Sequence, residues 1–68
     1  MKDYQNAKVN LEKALQTSKD GTVIEHYGDV LFRLGQKAEA LEQWQKAKKT
    51  GDASELIDKK IRDKKLYE

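Results

Sequence analysis

Ala7, Leu11 and Ala14 return 33 residues later as Ala40, Trp44 and Ala47: small, large, small at the same spacing. Steps of four and then three residues put each set on one stripe of an α-helix. Two helices with one packing pattern, separated by a fixed offset, confine the chain to stacked copies of a helical unit.

Periodicity and breaks divide the chain into four segments. The first runs from about Asp3 to Thr17, with Tyr4, Ala7, Leu11, Ala14 and Leu15 on one stripe and Asp3 placed to cap the free amides. Ser18-Lys19-Asp20-Gly21 interrupts it with turn-forming residues. The second segment opens near Asp20 or Thr22, since Asp20 is a good cap and Thr22 with Glu25 fits a capping box. Its apolar residues Val23, Ile24, Tyr27, Val30, Leu31, Phe32 and Leu34 exceed one narrow stripe, which predicts packing on two sides. Gly35 follows at a position where a left-handed residue closes a helix.

The third segment runs from about Lys37 to Thr50, with Ala40, Leu41, Trp44 and Ala47 on one face and Glu42–Lys46 paired on the other; Gly51 ends it. Asp52 and Glu55 suit a cap and its N3 partner, opening a fourth segment from about Ala53 to Leu66. Leu56, Ile57 and Ile61 supply its buried edge. Glu55–Lys59 and Asp58–Arg62 have favourable i,i+4 spacing, and the remaining face is almost wholly charged, as on a helix that ends a stack.

Composition removes several alternatives. A chain of 68 residues holds one domain at most, and without Cys neither disulfides nor thiolate metal sites can reinforce its core. Mean hydropathy is −0.99, yet 37% of the residues are hydrophobic and strongly periodic, which suits exposed amphipathic helices better than disorder. No apolar run approaches membrane-spanning length, and residues 1–20 lack the apolar centre of a signal peptide. The net charge of +2 implies neither nucleic acid nor an anionic membrane as a partner.

The stretch from Gly21 to Ser54 resembles one tetratricopeptide repeat. Gly28 falls at that family's small position in the first helix, followed by Leu31 and the helix-closing Gly35. Ala40, Trp44 and Ala47 fall at the small, aromatic and small positions of the second helix. Ile24 stands where the family often has Trp, and Asp52 where Pro is common. Residues 3–20 then read as a half repeat in register and residues 53–66 as a capping helix. The resemblance implies an all-α fold: a four-helix, antiparallel fragment of a right-handed superhelix forming a single domain over residues 1–68. The implied packing positions are Ala7, Leu11, Ala14, Ile24, Tyr27, Gly28, Leu31, Ala40, Trp44 and Ala47. A physical argument agrees at Gly28. Glycine within a helix costs about 1 kcal/mol relative to Ala, and a close crossing against a small residue such as Ala40 would offset it. A chain opening with the second helix of a repeat also implies earlier repeats in a longer parent.

Candidate chemistry is sparse. His26 is the only His, with Glu25 and Asp29 near it in sequence, which falls short of a metal-ligand set. Ser54 reads as a first-turn helix residue, and Trp44 as core rather than a ligand platform. Lys59, Lys60, Arg62, Lys64 and Lys65 are interleaved with acids and read as a solvated face. The expectation is a non-enzyme with no cofactor, metal, nucleic acid or membrane partner.

In tetratricopeptide proteins the first helix of a repeat lines a groove that takes peptides or helices. The resemblance places Thr22, Glu25, Asp29, Phe32 and Arg33 there. Glu25 and Asp29, one turn apart, would favour a basic or neutral partner over an acidic one. The Lys and Asn pattern with which some relatives hold a terminal carboxylate is missing. The first segment should also leave an apolar strip uncovered around Tyr4, Leu11 and Leu15. The expected role is a protein-interaction or assembly scaffold. The alternative is a self-associating module that completes its missing half repeat as a homodimer.

Overall fold

The computed structural model describes residues 3–18 and 20–64. They form an all-α fold of four helices: α1 (Tyr4–Thr17), α2 (Gly21–Arg33), α3 (Lys37–Thr50) and α4 (Ile57–Asp63). The central helix α2 packs against both α1 and α3, and α4 packs on α3. This accounts for the breadth of apolar residues along α2.

The first three helices start and stop where local chemistry directs. Asp3 caps α1 by accepting from the Asn6 N–H at 3.1 Å. Asp20, rather than Thr22, caps α2, accepting from the Thr22 N–H at 2.9 Å. At the far end of α2, Gly35 takes φ +86°, and the amides of Gly35 and Gln36 donate to the carbonyls of Phe32 and Leu31. That pair of bonds is a Schellman closure, and its left-handed residue is disfavoured for any side chain with a Cβ. Gly51 closes α3 in the same backbone region, at φ +80°.

The core is the seam between α2 and α3. Ile24, Leu31, Ala40, Trp44, Ala47 and Ile57 are buried, with Trp44 only 1% exposed. Gly28 is what lets these helices approach. A Cβ added there would lie 2.6 Å from Trp44 Cδ1 and 3.1 Å from the Ala40 carbonyl oxygen. The close crossing thus involves Ala40 through its backbone, with the indole edge nearer still.

The last helix differs from its sequence reading. It begins at Ile57 rather than near Ala53, and residues 52–56 are an irregular connection with a turn at its end. The Asp52–Glu55 capping box is not used. The Asp52 carbonyl accepts from the Thr22 hydroxyl at 3.2 Å, and the Ser54 N–H is committed to Glu25. Leu56, expected on the buried edge, is the N-cap and is exposed, whereas Ile57 is buried. Lys64, at φ +54°, closes the helix short of the expected Leu66, which lies outside the described residues. No helix among the described residues is long and apolar enough to cross a membrane.

Candidate functional site

The most concentrated polar chemistry among the described residues lies where α2, the α3–α4 connection and α4 meet. Lys60 Nζ donates to Glu25 Oε2 at 2.6 Å and to Asp29 Oδ1 and Oδ2 at 3.0 and 3.1 Å. Ser54 approaches from the connection, its N–H donating to Glu25 Oε1 at 2.7 Å and its hydroxyl to Glu25 Oε2 at 2.5 Å. Asp29 Oδ1 also accepts from the Trp44 indole N–H at 3.0 Å, so the cluster joins the aromatic core directly.

Glu25 and Lys60 are only 3% and 4% exposed. Removing such a pair from water is costly, and it is tolerated only when further hydrogen bonds complete the shell. Here they do. Burial pushes the Glu25 carboxyl up, but the bonds from Lys60 and Ser54, with the Lys60 charge, leave it below its ordinary value. A carboxylate held this way is a weak proton acceptor, and both its oxygens are already engaged. It fastens Ser54 rather than activating its hydroxyl.

The five residues expected to line one groove have separate surroundings. Thr22 is exposed and tied to Asp52. Glu25 is buried rather than groove-facing, because Lys60 and Ser54 close over it. Asp29, part-buried, bridges Lys60 and Trp44. Phe32 is half-buried and stacks on Trp44, with ring centroids 5.7 Å apart and planes inclined at 26°. Arg33 turns toward α1, donating to the Tyr4 hydroxyl at 3.3 Å with its guanidinium carbon 5.5 Å from that ring's centroid. The acidic pair behind the preference for a basic or neutral partner is therefore already engaged by Lys60, whose single positive charge offsets one of the two carboxylates.

Other candidate positions are simpler. His26 is exposed. Ser54 precedes α4 rather than occupying its first turn. Lys60, read with the tail lysines as solvated, is the exception among them, and Lys65 lies outside the described residues. Among the described residues no group of three His, Cys, Asp or Glu stands close enough to hold a metal ion. The burial of Lys60 was missed because Glu25 and Asp29 lie 35 and 31 residues before it; only the backbone path of residues 52–56 brings them together.

The two helices that share the small-large-small pattern are buried unevenly. Ala40, Trp44 and Ala47 on α3 are sealed, while Ala7, Leu11 and Ala14 on α1 are half-buried, and α1 has no fully buried residue. Val9 on α1 is 44% exposed. Leu15 does reach the core cluster, and Tyr4 is partly covered by Arg33. The uncovered apolar surface of α1 is therefore narrower than the sequence implied and centres on Leu11, with Val9, two residues away, on another face of the helix.

No family model, no curated protein and no solved structure matches the chain.

Proposed function

We propose that this chain is a non-catalytic protein-interaction or assembly module of tetratricopeptide type, and that α1 is where it takes up another helix. The observation that carries this reading is the contrast between α1 and α3. The same small-large-small pattern is sealed by neighbours on α3 and left half-covered on α1. A stack of this kind buries each apolar face on the next unit, so a half-covered pattern marks an unfinished layer. Gly28 against Ala40 and Trp44 supports the repeat reading at the α2–α3 seam.

The layer can be completed by a helix of another protein or by a second copy of this chain. Half-covered Leu11, the large residue of that pattern, is the contact either source would make. Light scattering on the intact chain and on Leu11→Glu tests the proposal. Reversible association of the intact chain, or its capture of a partner helix, should be lost in the variant while helical circular dichroism is kept. Association and capture that are equally strong in the variant would overturn α1 as the docking face. A mass near twice 7.9 kDa selects the homodimer.

A further inference from the structure

A second surface, to which α1 contributes no lining residue, has its own chemistry. A notch of about 240 Å³ opens between the C-terminal end of α2, the first two turns of α3 and the end of α4, lined by Phe32, Lys37, Ala38, Leu41, Trp44 and Lys64. Its floor is apolar: the stacked Phe32–Trp44 pair, with Leu41 and Ala38 beside it. The volume falls below the range of small-molecule pockets, roughly 300–1,000 Å³, and suits one large side chain of a peptide.

Its charged lining residues are both lysines. Lys37 Nζ lies 5.6 Å from the centroid of the Phe32 ring, and Lys64 stands at the left-handed closing residue of α4. No carboxylate among the described residues forms an ion pair with either ammonium. Ala38 also belongs to the first turn of α3, where Gln36 provides no side-chain cap and Glu39 already sets one acidic side chain against the helix dipole. The apolar floor selects a large apolar side chain, and the two lysines at the rim select acidic neighbours for it.

We infer that this notch docks an acidic peptide segment of a partner protein. One large apolar side chain inserts against Phe32 and Trp44, and carboxylates on neighbouring residues pair with Lys37 and Lys64. The inference builds on the reading as an interaction module but uses a different face, so its failure and that of the α1 proposal are separately visible.

The test is a titration of the intact chain with a capped hexapeptide, Glu-Glu-Leu-Phe-Glu-Glu, followed by amide and side-chain NMR shifts and Trp44 fluorescence. A control peptide carries Lys in place of every Glu. The acidic peptide should bind at least tenfold tighter than the control, with shifts centred on Phe32, Ala38, Leu41 and Trp44. Salt should weaken binding. Lys37→Glu with Lys64→Glu should abolish it while leaving the chain folded, since both side chains are exposed. Because Leu41 supports the core, Ala38→Gln is the better second variant: it fills the notch from an exposed position and should weaken binding at least fivefold. Equal binding of the two peptides, shifts centred elsewhere, or no binding at millimolar peptide would overturn the proposal. So would a chain lacking residues 65–68 whose notch resonances move without peptide and which then binds the two peptides equally, because the occupant would be the chain's own end.

Discussion

Lys60 Nζ sits 2.6 Å from Glu25 Oε2, and each side chain is almost completely withdrawn from water. This contact ties the seven-residue α4 to the central helix. A helix that short has little stability of its own. Its position rests on Ile57 in the core, on Ser54 held by Glu25, and on the Lys60 cluster.

Removing one partner of that pair should cost far more than removing both. Lys60→Met leaves the Glu25 carboxylate buried with no countercharge and only the Ser54 bonds, with an expected loss of about 3–5 kcal/mol. Glu25→Gln with Lys60→Met replaces the charges with a neutral amide and an apolar stem and should recover most of it. Urea unfolding of both variants checks this. Equal destabilisation by the single and double variants would show that the pair is not energetically coupled.

The pair also sets acid sensitivity. Because the Glu25 pKa is lowered on folding from 4.5, its contribution is fully present above the unfolded value. It is lost as pH falls through the lower folded value. Melting temperature should therefore decline as pH drops below about 4.5, and Glu25→Gln should flatten that decline relative to the parent. Thermal melts monitored by circular dichroism between about pH 6 and about pH 3 measure the difference.

Tyr27 gives the complementary alkaline effect. Burial pushes its phenol up from 10.0 to about 12, assisted by the hydrogen bond it donates to Glu12 at 2.8 Å and by the nearby carboxylate charges. A raised folded pKa means its stabilisation is complete below pH 10 and is lost as pH rises toward 12. Ultraviolet titration should show a late-ionising phenol component that disappears in Tyr27→Phe. That variant should also lose about 1 kcal/mol at neutral pH with the Glu12 bond.

Gly28→Ala should destabilise despite alanine's better helix propensity. The new methyl would meet the Trp44 edge at 2.6 Å, a buried ring with little room to retreat. Overpacking of this kind costs about 1–3 kcal/mol, against about 1 kcal/mol gained from the backbone. A lower denaturation midpoint is expected, together with a shifted Trp44 fluorescence maximum.

Much of the fold is legible in the sequence because its determinants are local. Asp3, Asp20, Gly35 and Gly51 mark helix ends through bonds and dihedrals spanning a few residues, and α1, α2 and α3 lie where those signals put them. The breadth of apolar residues on α2 likewise gives its central position. The start of α4 is different. Asp52 and Glu55 make a sound local capping signal, but it competes with a tertiary demand: Ser54 is drawn to Glu25, 29 residues earlier, which holds the backbone out of helix until Ile57. The same long-range contact hid the candidate site. Read by spacing, Glu25 and Asp29 form an exposed acidic surface and Lys60 one of several solvated lysines. Only the packing of α4 brings these charges together and buries them.

The unfinished state of α1 is best tested by site-resolved amide hydrogen exchange of the intact chain at rising protein concentration. A helix with no fully buried residue should open more readily than the sealed α2–α3 seam. At low concentration, amides around Val9 and Leu11 should exchange at least tenfold faster than those around Trp44, and they should become protected as association or an added partner covers α1. Uniform protection of α1 and α3 at every concentration, in a chain that stays monomeric and captures no helix, would contradict the account, because the four helices would then close their core without another layer.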